Sequence, residues 1–352
     1  MNNLSLDTLL PLLQRDFFMR VVLASVEVIR LLHTQDSILH ESFGVGAGGD
    51  RSSGADLFAE SIFSKFLLPH YHIDSEESGL LKGDSNAKGT IVLDPLDGSS
   101  NFKSNIPYFG ASVALCDENG RVCEACVVNY ISCEIAYLND DLLALTKMPC
   151  VFSLQTFIAD LQPEYIVYAS TAKKPTSMHS CYIPCNFTRL LQNSNTAKKD
   201  VFIANACDAI RESAQYLPAF DANFLHAMFA SQILIFRPQK VITEKLECGI
   251  FEKAMQHAKW ASFLAESGLK FRSLGAIALS LAFSFRYLFV LLPTQVRKYD
   301  GMAGFYLAQN QIICGNLESY HKAIPALKEC KEVISHILIT TDLDIVDKFK
   351  GR

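Results

Sequence analysis

Apolar residues recur three and four apart over residues 9–32, with Gln14, Arg15, Arg20 and Glu27 between them. That period predicts one long amphipathic helix with Pro11 in its first turn. Four glycines within residues 44–49 then break the pattern, and residues 44–54 are expected to form a mobile loop, either a linker or a lid. A second helix is predicted from about Ala55, where Phe58, Ile62 and Phe66 stand four apart, and Pro69 ends it. Residues 72–76 read as a short strand running into Glu76 and Glu77. Ile91, Val92 and Leu93 read as a buried strand. Phe109, Ala111, Val113 and Leu115 alternate with small residues as a strand should, and residues 117–120 make a hairpin turn. Strands over 122–128 and 131–138 continue an antiparallel meander.

Past residue 142 the periodicity weakens. Strands are expected over 165–170 and 201–206, a short helix over 187–192 and a longer helix over 243–259. In the last of these, Leu246, Ile250, Phe251, Ala254 and Ala258 share one side. Residues 272–279 begin an apolar helix, 287–292 a strand, and 298–309 a further helix. The pairs Lys173-Lys174 and Lys198-Lys199 read as solvated loops. No internal repeat or low-complexity segment is present.

A chain of 352 residues is long enough for two domains or one two-lobed unit. The division expected is a metal-binding catalytic half over 1–150 and a substrate-binding half over 151–352. A net charge of −5 supplies no basic field for nucleic acid or anionic lipid, so neither is expected as a partner. The N-terminal residues have no basic, then apolar, signal-peptide pattern. Eleven cysteines, scattered through apolar stretches, read as free thiols in a reducing compartment, which implies a cytoplasmic location. Cys123 and Cys126 have no second pair at zinc spacing and are assigned to packing. The apolar run 274–292 is interrupted by Arg286, so a buried helix followed by a buried strand is preferred to a membrane span.

The chemistry concentrates at Asp94-Pro95-Leu96-Asp97-Gly98-Ser99-Ser100-Asn101. A buried strand ends there in a turn dense with oxygen. Pro95 fixes φ and donates no hydrogen bond, and Gly98 lets the backbone come close to a ligand. Asp94 and Asp97 can aim at one point with a carbonyl between them, an oxygen-only set that suits a hard cation such as Mg²⁺. If a short helix begins after Gly98, the N–H groups of Gly98, Ser99 and Ser100 form an anion seat beside the cation. Glu76 and Glu77 are a second candidate ligand pair, and alternation along a strand lets one face a metal while the other supports it. Asp56 and Asp300, each at a predicted helix start, have ordinary readings as a dipole-favoured carboxylate and an N-cap.

Taken together, Asp56, Glu76, Asp94, Asp97 and Asp300 resemble, in order and local context, the lithium-sensitive, magnesium-dependent superfamily of inositol monophosphatases and fructose-1,6-bisphosphatases. Asp94 to Asn101 matches the D-P-[IL]-D-G-[ST]-x-N signature, Glu76-Glu77 the upstream acidic pair, and Asp56 to Glu60 the D-x-x-x-E helix start. Residues 101–115, 272–279 and 299–304 look like the inositol monophosphatase branch. The sequence departs from the pattern at Tyr299, where tryptophan is usual, and at Ala276, where a hydroxyl is common. It also has no acid in residues 293–298 and no acidic glycine pair after Gly304.

The resemblance implies a layered αβαβα sugar-phosphatase fold of the α/β (α+β) class and two or three Mg²⁺ ions. Glu76, Asp94 and the Leu96 carbonyl would hold the first ion; Asp94, Asp97 and Asp300 the second. Ser99, with Glu76 and Asp56, would position the attacking water, and Asp56 would support a third ion. Asp97, Gly98, Ser99, Ser100, Gly275 and Ala276 would meet the phosphate and substrate. The implied partner is a small phosphorylated polyol or sugar, and a homodimer is common in the family. Alternatives are a fructose-1,6-bisphosphatase type, a 3′-phosphoadenosine phosphate phosphatase, or a catalytically silent binding protein. Because packed carboxylates repel, residues 44–54 are expected to be disordered until metal arrives.

Overall fold

The computed structural model describes residues 6–68, 70–155, 185–195, 198–213, 222–230, 232–237, 246–315, 318–320, 332–333 and 337–349. The expected strand at 165–170 and the Lys173-Lys174 pair lie outside them.

The first apolar run forms two helices, α1 (Leu6–Leu13) and α2 (Asp16–Leu32), where one was expected. The chain turns at Arg15, whose backbone is extended, yet Leu9, Leu13 and Phe17 all stay buried across the break. The apolar period is therefore blind to the interruption. Residues 44–54 are not a free loop. A hairpin of β1 (Ser42–Val45) and β2 (Arg51–Ser53) leads directly into α3 (Gly54–Leu67). Its tip is tied down, with the Ala47 and Gly48 N–H groups donating to the carbonyls of Glu77 and Glu76 at 2.9 and 2.7 Å.

Eight strands make the first sheet: β3 (His72–Ser75), β4 (Gly79–Leu81), β5 (Thr90–Asp97), β6 (Gly110–Cys116), β7 (Val122–Asn129), β8 (Glu134–Asn139), β9 (Cys150–Ser153) and β10 (Ile235–Arg237), in the order β10-β9-β8-β7-β6-β5-β3-β4. All neighbours are antiparallel except β3 and β5, which run parallel. The meander predicted after the acidic turn is its centre.

The second sheet has the order β12-β11-β13-β18-β15-β16, from β11 (Cys248–Phe251), β12 (Lys270–Arg272), β13 (Val290–Leu292), β15 (Ile312–Gly315), β16 (Glu318–Tyr320) and β18 (Ile337–Thr340). A short ladder pairs β14 (Val296–Arg297) with β17 (Glu332–Val333).

Side-chain alternation shows how these sheets stack. α2 and α3 pack on one face of the first sheet, and the helices Ile277–Ala282 and Lys298–Ala308 pack on the other. Val290, Leu292, Ile337 and Ile339 join that main core. Their neighbours Leu291 and Leu338 point the other way, into a separate cluster with Phe289, Leu264 and Phe349. Successive strand residues face opposite sides, so the second sheet is sandwiched between the central helices and the helices Ala258–Glu266 and Leu343–Phe349. The layers run αβαβα, as expected.

Two expectations fail in the weakly patterned region. Residues 201–206 lie inside the helix Lys199–Glu212, not in a strand. Its buried residues, Ile203, Ala206, Cys207 and Ile210, follow a spacing of three and four once the window is extended. Lys199 begins that helix and pairs with Glu41 at 2.5 Å. The helix expected over 243–259 is instead β11, then a short turn, then the helix Ala258–Glu266. Ile250 and Phe251 enter different core clusters, which a helix face would not allow. Gly249 makes room for the Phe289 ring, which would lie 2.3 Å from an added Cβ.

Arg286, the charge that interrupts the apolar run, forms a two-pronged pair with Glu134 at 2.8 and 3.1 Å. Among the described residues no helix is long and apolar enough to cross a membrane. Eight described cysteines are free thiols, with Cys126 fully buried in β7 and Cys123 partly so.

Candidate active site

The site starts from a bulge. In the β5–β6 ladder Asp94 faces Ser112 and Asp97 faces Gly110, so three steps along β5 match two along β6. Residues three apart on a regular strand point to opposite faces. The one extra residue reverses that parity and lets both carboxylates serve one side. The Tyr130 hydroxyl donates to the Pro95 carbonyl at 2.9 Å and holds the bulge, while the buried Leu96 N–H donates to Asp94 Oδ1 at 2.9 Å.

β3 runs parallel to β5 and delivers Glu76 just past its end, beside Asp94. The helix Lys298–Ala308 brings Asp300 in its first turn. One oxygen from each of Glu76, Asp94 and Asp300 lies within 4.8 Å of the others, and all three residues are buried. Asp97 stands alongside this trio but outside it. Its Oδ2 accepts the Ala278 N–H at 2.7 Å, which ties the bulge to the helix Ile277–Ala282.

Burial and mutual repulsion govern these acids. Burial first, then the charge of Glu76, raises the Asp94 carboxyl well above its usual range. Burial and the Asp300 charge do the same to Asp97. Glu76 is pushed up to about 7 by burial and by Asp300, against the pull of Arg297. Glu77 is pushed up to about 8 by burial and by Asp56. Carboxylates in this state take up positive charge readily. Their donor atoms are all oxygen, on three separate elements, so the residues present fit a hard divalent cation.

The other predicted residues surround this trio. Asp56 sits in the first turn of α3 and completes a capping box, its Oδ2 accepting from the Ser53 N–H and hydroxyl at 2.6 Å each. It is not part of the trio, and burial raises its carboxyl. Gly98 has φ +86°, and α4 (Ser99–Lys103) begins directly after it. Ser99 is half-buried and Ser100 exposed. Across from Gly98 lies buried Ala276, whose Cβ would be 3.1 Å from one added at Gly98. Asn101 Nδ2 donates to the Leu274 carbonyl at 2.7 Å and holds the two loops together. The Gly275 N–H donates to Glu252 Oε2 at 2.9 Å.

Sequence reading passed over three residues here. Arg297 reaches into the trio: Nη1 lies 2.6 Å from Glu76 Oε1, and Nε lies 3.0 Å from Asp300 Oδ2. The segment 293–298 stood out for lacking an acid; its arginine three positions before Asp300 was the available signal. Glu252 is buried and accepts from the Gly275 N–H and, at 2.6 Å, from the Ser280 hydroxyl. It was hidden in a stretch read as helical. Asp50, on the hairpin, accepts from Arg297 Nη1 at 2.8 Å. Tyr299, where the family pattern has tryptophan, donates its hydroxyl to Asp74 at 3.0 Å.

No protein-family model matches this chain. Among curated proteins it is 41% identical over 76 residues to a fructose-1,6-bisphosphatase/inositol-1-monophosphatase of Thermococcus kodakarensis, a stretch covering 21% of this chain and 29% of that protein. It is 39% identical over 102 residues to an inositol-1-monophosphatase of Rhizobium meliloti, covering 26% and 38%. The match thus spans well under half the length of these relatives. Among solved structures, the fructose-1,6-bisphosphatase of Leishmania major in holo form superposes with a TM-score of 0.63 over 99% of both chains, at 12% identity. The chain has the fold of the inositol monophosphatase and fructose-1,6-bisphosphatase superfamily, and its sequence relatives are members of it.

Proposed function

We propose that this protein is a Mg²⁺-dependent phosphomonoesterase that hydrolyses a small phosphorylated polyol or sugar. The observation that carries the reading is the convergence of Glu76, Asp94 and Asp300, from three distant segments, to within 4.8 Å. The names of the relatives, which cover both inositol phosphate and fructose bisphosphate, support the same substrate class.

Glu76, Asp94, Asp97, Asp300 and the Leu96 carbonyl are the residues that would hold two cations, with Asp56 near a third. Bound cations would supply charge neutralisation at the phosphoryl oxygens and a water of lowered pKa. The chain's own contribution is placement. The bulge at Pro95 and Leu96 orients Asp94 and Asp97 before any ligand arrives, so these two carboxylates need little reorganisation. Ser99 stands at the start of α4, and its hydroxyl, with Glu76 and Asp56, would orient the attacking water. Gly98, Ser99 and Ser100 would line the phosphate side, and Gly275 and Ala276 would close it from the second half of the chain.

The substrate half departs from the inositol monophosphatase pattern at 293–298, and a sugar bisphosphate or 3′-phosphoadenosine phosphate is the alternative substrate. A binding protein without turnover is the reading of another class, and Arg297 among the carboxylates favours it specifically. Hydrolysis of inositol phosphates, fructose bisphosphate and 3′-phosphoadenosine phosphate, assayed with Mg²⁺ and with excess chelator, separates them. Metal-dependent release of phosphate is expected. Equal rates in chelator would end the cation mechanism, and no release from any ester would favour the binding protein.

A further inference from the structure

The segment that connects the second sheet to Asp300 contains no acid, and what it contributes to the site is a cation. Arg297 closes β14, whose pairing with β17 fixes the backbone immediately before the helix Lys298–Ala308. From there its guanidinium contacts three carboxylates. Nη1 lies 2.6 Å from Glu76 Oε1 and 2.8 Å from Asp50 Oδ2. Nε and Nη2 lie 3.0 and 3.2 Å from Asp300 Oδ2 and Oδ1.

Glu76 and Asp300 are two of the three acids of the candidate cation centre. Both Asp300 oxygens and one Glu76 oxygen are therefore engaged by a side chain that cannot lose its proton. A divalent cation at that flank needs the same oxygens. Asp50 differs from the other two acids. It is at the rim, 78% exposed, on the β1–β2 hairpin. A guanidinium displaced from Asp300 still has that carboxylate within reach, and its own side chain is 34% exposed.

We propose that Arg297 is a tethered counter-ion that competes with one divalent cation for Asp300 and Glu76, so that loading this flank requires the guanidinium to retreat towards Asp50. This rests on the cation-dependent reading above. It gives the departure at 293–298 a physical role, a charge that holds the carboxylates together without a cation and lowers affinity for one ion. The cost of holding unpaired carboxylates together when no cation is bound is offset by the arginine.

Mn²⁺ binding tests it directly, followed by the paramagnetic signal of the free ion and by calorimetry, on wild type, Arg297→Gln and Arg297→Lys. The glutamine variant is expected to bind one ion about tenfold more tightly or better, because removing a competing charge–charge contact changes affinity on that scale. Lysine, a point charge without the fork, is expected to fall between them. In chelator the glutamine variant is expected to melt at lower temperature than wild type, and to gain more from added Mn²⁺. If that variant folds only with Mn²⁺, the stabilising half of the proposal is met, and the lysine variant supplies the affinity. Mn²⁺ affinities within twofold of wild type in both variants would overturn the inference while leaving the cation reading intact. An increase in KM for a phosphate ester at unchanged Mn²⁺ affinity would assign Arg297 to substrate instead. Absence of Mn²⁺ binding in wild type and variants alike would overturn the cation reading and this inference with it.

Discussion

Asp97 accepts a hydrogen bond from the backbone N–H of Ala278 at 2.7 Å, joining residues 181 positions apart in the chain. One carboxylate oxygen thus anchors the start of the helix Ile277–Ala282 to the end of β5. In Asp97→Asn the side-chain carbonyl can keep this bond and a buried repulsive charge is removed. In Asp97→Ala a buried donor is left without its partner, at a cost of about 1–3 kcal/mol. Urea unfolding in chelator is expected to place the alanine variant below the asparagine variant by that amount. Both variants are expected to lose most of the proposed phosphatase activity.

Asp94 shows the opposed demands of stability and function more sharply. It lies against Glu76, Asp97 and Asp300 in a buried setting, and its Oδ1 accepts from Leu96. Asp94→Asn keeps an acceptor for Leu96 and removes one of the mutually repelling charges. Its melting temperature in chelator is expected to rise, while the proposed Mg²⁺-dependent hydrolysis falls by at least about a hundredfold, more than loss of a supporting contact around a metal usually costs. A fall in both would mean that the carboxylate is held by attractive contacts in the cation-free protein.

Glu134 and Arg286 supply a pH test away from the candidate site. Burial raises the Glu134 carboxyl, but the Arg286 hydrogen bonds and charge, with Ser132 and Arg237, outweigh it and hold the group below its usual range. A depressed folded-state value stabilises fully above the unfolded value, roughly 4.3. The contribution is lost as pH falls through the folded value. Glu134→Gln is therefore expected to melt below wild type at pH 7, with the gap closing as pH drops below about 4. A gap that persists unchanged to low pH would show that packing, not charge, is what the substitution removes.

Lys65 and Glu27 form a buried pair between α3 and α2 at 2.8 Å, with side-chain exposures of 2% and 0%. Lys65→Met leaves a carboxylate inside the core and is expected to cost about 3–5 kcal/mol. Replacing both residues with methionine is expected to restore most of that, since neither desolvated charge remains. Chemical denaturation of the two single variants and the double variant gives the coupling directly. Additive losses would show that the two charges do not interact.

How far the fold and the site were legible depended on how local their causes are. The meander β6–β7–β8, the helix α3 and the turn after Asp97 follow from spacing of apolar residues, a capping box and a left-handed glycine, all written within a dozen positions. The helix Lys199–Glu212 and strand β11 differ from the expectation because a short apolar run satisfies either period, and only the partner decides. Residues 44–54 differ for a related reason. Glycine predicts freedom, but the hairpin tip is held by the carbonyls of Glu76 and Glu77.

The same division runs through the site. The sequence by itself determined the oxygen-rich turn, the candidate acids Glu76, Asp94, Asp97 and Asp300, and the superfamily they resemble, because these residues stand in short motifs whose types and spacings are readable in one dimension. Tertiary structure alone decided that the bulge turns Asp94 and Asp97 to one side, that Asp97 is tied to Ala278, and that Arg297 lies between Glu76 and Asp300. Charges act through space over a few ångströms, whatever their separation along the chain. No motif window can contain an arginine and a glutamate that are 221 residues apart in sequence and 2.6 Å apart in the fold.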